Sequence, residues 1–398
     1  MKKNIVFVIP SLGAGGGEKS LINVLTTLDY SIYNVDVIVF DKSGLFLNLI
    51  PPQVTVLELP GNYQIFKKGL IASLLGFMMQ LNFRLFYYRA LFAFKNKISK
   101  NIAVTEQNTW RYVSASIPNF TKKYDAAIGF LEKLSNYLVV DKITSNIKVG
   151  WIHTNYSTSG MSADFDLGYF QKLDYVVTVS AECLLDLQNN FPSLKEKFRL
   201  IHNIVSSSLI LKLANQGLEN EIFTAKNLLV TVARLSLEKG IDLAVEAAKI
   251  LKEQGHDFQW IVIGAGVERD SLMAKIREYN LTEHFILLGL KQNPYPYVAR
   301  ASVYIQPSRY EGKSIAIDEA KILGKPLIVT DYTSAKDQIE NGTNGLLSET
   351  NPIALSNSIV QLLENEKLRE KFILHLKNEN LDTTSEILKL NQLINESY

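Results

Sequence analysis

Two glutamates separated by seven residues stand in the run Gln306-Pro307-Ser308-Arg309-Tyr310-Glu311-Gly312-Lys313-Ser314-Ile315-Ala316-Ile317-Asp318-Glu319. Pro307 and Gly312 interrupt regular structure, and an apolar helical spacing resumes over 315–323, so Glu311 is expected in a loop and Glu319 about two turns into a helix. The amides of Gly312, Lys313, Ser314 and Ile315 would then lie at a helix N-terminus, where backbone donors and the helix dipole favour an anion such as a diphosphate. Carboxylates accept hydrogen bonds from sugar hydroxyls, so the pair could hold the two polyol ends of a ligand with phosphates between them. Either glutamate alone reads equally well as a solvated surface charge.

Breaking a bond to a diphosphate builds negative charge that needs cations. Arg234 and Lys239, in Val232-Ala233-Arg234-Leu235-Ser236-Leu237-Glu238-Lys239-Gly240, follow an apolar run and fit that need, although Glu238 could neutralise one of them. Glycines mark two further strand ends. Ser11-Leu12-Gly13-Ala14-Gly15-Gly16-Gly17-Glu18-Lys19 follows the first apolar run, and its Gly16 and Gly17 could bring backbone close to a phosphate or sugar. It is neither a P-loop, since Glu18 separates Gly17 from Lys19, nor a dinucleotide fingerprint, whose third glycine would stand at Glu18. Gly264-Ala265-Gly266 poses the same choice between ligand contact and a plain turn.

Asp164-Phe165-Asp166 has the form of a metal-holding pair, but it is expected in a loop without further oxygen ligands, and no metal or other cofactor is implied. The single cysteine, Cys183, excludes an internal disulfide and reads as a small buried residue in a reducing compartment.

The elements that must position these residues are legible as Val- and Ile-rich runs separated by segments of helical length. One series covers 5–9, 35–40, 54–57, 126–130, 149–153 and 175–179, and a second covers 228–232, 260–263, 285–288, 303–305 and 327–329. This alternation predicts an α/β fold of two doubly wound parallel sheets, with ligands at the carboxyl ends of the strands. The junction is placed near 207, giving domains over 1–207 and 208–380 and a closing helix over 381–398. A formal net charge of +2 over 398 residues gives no reason to expect a nucleic-acid partner. Neither a signal peptide nor a membrane span is expected, because Pro10 stops the first apolar run and the longest uncharged candidate, Gly69 to Phe83, is too short to span and is interrupted by Ser73, Gln80 and Asn82.

Between Glu58 and Glu106 there is no acidic residue, while Lys67, Lys68, Arg84, Arg89, Lys95, Lys97 and Lys100 alternate with Phe, Leu, Met and Tyr. The stretch 64–100 therefore reads as basic amphipathic helices suited to an anionic membrane surface. The alternative is that these helices cover a sheet and carry ordinary surface charge.

Taken in order, Gly16-Gly17-Glu18, Arg234 with Lys239-Gly240, the Glu311/Glu319 pair, Gly324-Lys325-Pro326-Leu327 and Asn341-Gly342-Thr343-Asn344-Gly345 resemble the retaining family 4 glycosyltransferases of GT-B fold. That resemblance implies two Rossmann-like domains facing across a cleft and transfer from a nucleotide-sugar donor. The acceptor would be a glycan, free or lipid-linked, met at the cytoplasmic side of the membrane. It also implies that Glu319 binds the ribose, Glu311 the donor sugar, Arg234 and Lys239 the diphosphate, and that His153 lies on the acceptor side, with no protein nucleophile. The chain departs from the family pattern at Asp337, at Thr333-Ser334-Ala335 and at Asn203-Ile204-Val205-Ser206, which leaves the sugar open. A non-catalytic partner subunit and a nucleotide-sugar epimerase are the competing readings.

Overall fold

The computed structural model describes residues 2–13, 15–99, 101–217, 223 and 225–396; Ala14, Lys100, Thr224 and Ser397 lie outside them. Two compact units divide the chain. One consists of Met1–Gly13, Gly17–His202 and Glu386–Tyr398, the other of Asn203–Ser385 with Ala14–Gly16.

In unit 1 the strands are β1 (Lys3–Ile9), β2 (Tyr33–Val39), β3 (Val54–Glu58), β4 (Lys123–Gly129), β5 (Thr144–Ile152), β6 (Tyr175–Thr178) and β7 (Phe198–Leu200). Unit 2 continues with β8 (Asn227–Val232), β9 (Phe258–Ile263), β10 (Phe285–Gly289), β11 (Val303–Gln306), β12 (Leu327–Thr330) and β13 (Leu346–Ser348). Both sheets are wholly parallel, in the orders β3-β2-β1-β4-β5-β6-β7 and β10-β9-β8-β11-β12-β13. The strand order reverses beside β1 in the first and β8 in the second, and at such switch points the loops diverge to leave a crevice for ligands.

Helices cover both faces, so the strands are apolar on both sides. In unit 2 alternate residues feed two separate cores: Leu229, Trp260, Val262 and Ile305 on one face, and Val230, Ile261, Ile263 and Tyr304 on the other. The short edge strands β7 and β13 were not expected from the sequence, because three residues carry too little pattern.

The unit boundary falls at 202/203 rather than near 207. Hydrogen bonds set it: the Val205 amide donates to Thr383 Oγ1 at 2.8 Å, Thr383 Oγ1 donates to Asn203 O at 2.7 Å, and the Ser207 amide donates to Asp382 at 3.0 Å. The closing helix is Ile387–Asn395, and it belongs to unit 1. It buries Ile387, Leu390, Leu393 and Ile394, while Leu388 faces out; Glu396 accepts from the Tyr175 hydroxyl, and Asn395 donates to the Tyr33 hydroxyl at 3.2 Å.

The basic stretch folds as a helical hairpin, Leu70–Met79 and Phe83–Ile98. Its inner side buries Phe77, Leu85 and Arg89. The turn is tight. Leu81 donates to Met78 O at 3.0 Å and Asn82 to Phe77 O at 2.9 Å, the paired bonds that end a helix on a left-handed residue. That residue is Leu81, with φ of 53°, where glycine would avoid a cost of about 1 kcal/mol.

Candidate active site

In unit 2, β8 and β11 are neighbours, with Leu229 opposite Val303 and Val230 opposite Tyr304, so the loops leaving their carboxyl ends lie side by side. Gly240 makes that approach possible: its φ is 63°, and a Cβ there would stand 1.9 Å from Pro307 O. Any other residue would push the two loops apart. As a result Lys239 Nζ lies 2.5 Å from Glu311 Oε2, both side chains being largely buried. The other carboxylate oxygen accepts from Ser308 Oγ at 2.8 Å and Gln306 Nε2 at 3.2 Å, and Gln306 Oε1 accepts from the Tyr304 hydroxyl at 2.8 Å. Ser334 Oγ donates to Glu311 O at 2.7 Å. Glu311 is thus fixed at both its backbone and its head group, as a desolvated charge must be.

Glu319 lies in the helix Ile315–Ile322, one turn in rather than two, and is 4% exposed. Its Oε1 accepts from the Tyr295 hydroxyl at 2.9 Å. Burial, and then the carboxylate beside it, push the Tyr295 hydroxyl well above its ordinary pKa, so the phenol remains a donor. Tyr295 packs with Val205, Ile210 and Ile315.

The expected row of open amides at Gly312, Lys313, Ser314 and Ile315 is interrupted. The Ser314 amide donates to Gln338 Oε1 at 2.9 Å, while Gln338 Nε2 donates to Ser314 O at 2.8 Å and Asp318 Oδ1 at 2.7 Å. A buried amide needs a partner, and here a side chain 24 residues along supplies it. Lys313 also turns inward, with Nζ 3.9 Å from Asp318 Oδ2.

Arg234 presents its guanidinium outward, 59% exposed, with one nitrogen 3.5 Å from Glu238 Oε1. Burial works to raise the Glu238 carboxyl, but the Ser236 hydroxyl, its own amide, Arg234 and Lys239 together hold it below the usual range. Arg309 grips Asp242 with two bonds of 2.7 Å and donates to Leu237 O at 2.6 Å, pinning the loop that carries Lys239. Gly264 is a crossing point of backbones: its amide donates to Gly289 O at 2.9 Å, and a Cβ would stand 1.9 Å from Ala233 O.

In unit 1 the equivalent switch point joins the loops after β1 and β4. Gly16 opens the helix Gly16–Thr27, and a Cβ on Gly17 would lie 2.5 Å from Leu131 Cδ2, so this glycine lets the helix begin against the loop after β4. His153 follows β5. Its amide donates to Glu132 Oε2 at 3.2 Å, and its ring lies parallel to Trp151 at 5.9 Å and tilted against Phe130 at 5.2 Å. Burial, only partly opposed by the Phe130 backbone, lowers its pKa to about 4. His153 is therefore neutral at pH 7, and its Nε2 is buried without a hydrogen-bond partner among the described residues.

Asp164 and Asp166 lie in the first turn of the helix Ala163–Phe170, not in a loop. Asp166 is sealed in unit 1, accepting from the Tyr137 and Tyr156 hydroxyls at 2.5 and 2.6 Å. Burial raises its pKa although both tyrosines pull the other way. Among the described residues no group of three or more His, Cys, Asp or Glu side chains could hold a metal.

Gln306, Ser308, Tyr295, Gln338 and Arg309 were not singled out in the sequence. One signal was available: Gln306 ends an otherwise apolar strand run, where a polar side chain must find a buried partner.

Residues 218–378 match the family described as Glycosyl transferases group 1. Over 94% of this chain and 93% of the relative, the sequence is 26% identical to the N-acetylgalactosamine-N,N'-diacetylbacillosaminyl-diphospho-undecaprenol 4-alpha-N-acetylgalactosaminyltransferase of Campylobacter jejuni. It is 24% identical to the poly(ribitol-phosphate) alpha-N-acetylglucosaminyltransferase of Staphylococcus aureus, over 55% of this chain and 43% of that one. Among solved structures, Anabaena HepE in complex with UDP and glucose superposes with a TM-score of 0.67 at 16% identity, covering 98% of each chain.

Proposed function

We propose that the chain, a glycosyltransferase similar to the group 1 enzymes and built on a GT-B fold, moves a sugar from a nucleotide-sugar to a lipid-linked glycan in surface-polysaccharide synthesis. The observation that carries this reading is the buried Lys239–Glu311 pair placed by two neighbouring strand ends, with Glu319 held nearby in the helix that follows. In the reading, a donor diphosphate replaces Glu311 as the partner of Lys239, and Arg234 adds the second cation as charge builds on the leaving group. Glu311, still oriented by Ser308 and Gln306, is then released to accept a hydroxyl of the donor sugar. Glu319, with one oxygen steadied by Tyr295, takes the ribose hydroxyls. Gln338 shapes the loop between them.

Acceptor recognition falls to unit 1, where the neutral His153 offers Nε2 to a hydroxyl. Transfer proceeds with retention in the manner of family 4, the departing phosphate oxygen taking the acceptor proton. Support for the donor comes from the UDP and glucose bound to HepE, and for the acceptor from the diphospho-undecaprenol in the name of the Campylobacter relative.

Thermal-shift measurements with UDP-, GDP-, ADP- and TDP-sugars test the donor site. One nucleotide class should raise Tm by several degrees, since a ligand at about 100 times its Kd adds roughly 2.7 kcal/mol, and Glu319→Ala should lose that shift. No shift with any donor, or an equal shift in the variant, would overturn the assignment.

A further inference from the structure

We infer that the tip and outer face of the hairpin Leu70–Met79/Phe83–Ile98 form a docking surface for an anionic lipid bilayer, with Met79, Leu81 and Phe83 entering the apolar layer. This extends the lipid-linked acceptor reading, which supplies its purpose; the surface itself is argued from the hairpin alone.

Both helices expose apolar side chains. On the first, Ile71, Leu75, Met78 and Met79 are exposed; on the second, Phe83, Tyr87, Phe94 and Ile98. At 100° per residue each set falls within an arc of about 100° or less, so each is a continuous stripe opposite the buried Phe77, Leu85 and Arg89. Three strongly exposed apolar side chains gather at the turn, Met79 at 85%, Leu81 at 73% and Phe83 at 66%, and Ile71, at 75%, extends the surface to the far end of the first helix. A patch of this extent is uncommon on a monomer without a partner.

The turn supplies an independent observation. Leu81 occupies the left-handed position that ends the first helix, where glycine is the ordinary choice, and its side chain contributes little packing in return. A large apolar group kept at strained backbone and turned to solvent is explained by a use outside the fold.

Charge identifies the occupant. The sequence from 59 to 105 has no carboxylate. Not all of its cations serve: Arg89 is turned inward, donating to Phe66 O and Lys68 O at 2.9 and 3.0 Å, and Lys67 lies 3.5 Å from Asp41. Arg84 and Lys97, both exposed, flank the stripe of the second helix, with Arg84 over the Tyr88 ring at 5.4 Å. Apolar side chains edged by cations match lipid tails beneath anionic headgroups. Among the described residues no helix is long and apolar enough to cross a membrane, so attachment would be from one side.

The experiment is flotation of the full chain with vesicles of phosphatidylcholine, with and without phosphatidylglycerol, at low and high salt. Wild type should float with the anionic vesicles at low salt and be released by high salt. Leu81→Gly removes an anchor where glycine suits the backbone, so it should keep or raise Tm while weakening partition roughly tenfold. Arg84→Glu/Lys97→Glu should abolish the preference for phosphatidylglycerol. Failure of wild type to bind, or unchanged partition in Leu81→Gly, would overturn the inference. So would sedimentation showing a dimer that Leu81→Gly dissociates, because a second copy would then be the occupant. Nucleotide-sugar stabilisation, measured on the same samples without lipid, reports separately on the donor site.

Discussion

Asp166 in unit 1 and Glu311 in unit 2 are carboxylates almost sealed from water, yet their partners differ in kind. Asp166 receives two phenol hydroxyls whose rings are buried among Phe170, Trp110 and other core side chains. Those donors cannot be withdrawn without unpacking the unit, so Asp166 acts as a fastening between helices. Glu311 receives a lysine from a neighbouring loop, a long flexible side chain that can exchange one anion for another without disturbing the core. Burial alone does not tell the two carboxylates apart. The kind of group that faces each one does.

The largest effect should come from removing the lysine. Lys239→Ala leaves Glu311 buried without a counter-charge, and urea denaturation should show unit 2 losing about 3–5 kcal/mol. The double variant Lys239→Met/Glu311→Leu should recover most of that loss while remaining without transfer activity. A single-variant cost below about 1 kcal/mol would mean that the pair is solvated after all and that the contrast with Asp166 fails.

A second effect lies within unit 1. The folded-state pKa of His153 is about 4, below its ordinary 6.5, so between those values the unfolded chain binds a proton that the folded chain does not. Its contribution is present above pH 6.5 and is lost as pH falls toward 4, on the order of 3 kcal/mol in all. Denaturation of wild type and His153→Gln at pH 7 and pH 4.5 should show this slope only in wild type.

Asp166 should give the smallest effect and the opposite sign. Its pKa is raised above 3.8, so the proton favours the folded state, and its contribution is lost as pH rises from 3.8 through the folded value. Asp166→Asn should cost about 1–3 kcal/mol at low pH by misplacing one tyrosine's acceptor, less as pH rises, and should leave nucleotide-sugar stabilisation intact. Loss of donor binding in this variant would contradict its role as a fastening.

Much of the fold was legible because buried parallel strands write themselves as Val- and Ile-rich runs; β1 through β6 and β8 through β12 were marked this way. The three-residue edges β7 and β13 were not. In the site, Glu311 and Lys239 could be picked out because a glycine stands beside each. The residues that hold them could not: Gln338 reaches Ser314 and Arg309 reaches Asp242 through contacts between loops, which no local spacing encodes. The hairpin shows the same limit. Its composition announced an amphipathic surface, but only coordinates separate the inward Arg89 from the outward Arg84.

Unit 1 is made from pieces of chain on either side of unit 2, and its last piece is the helix Ile387–Asn395. Chains emerge from the ribosome from the N-terminus, and early domains usually fold first. Here the surface around Tyr33 and Tyr175 waits, uncapped, until residues 387–395 have been synthesised. Unit 2 can close on itself earlier, through Thr383 and Asp382. The later-born unit can thus close first, and a chain arrested before residue 387 would carry an unfinished first unit attached to a finished second.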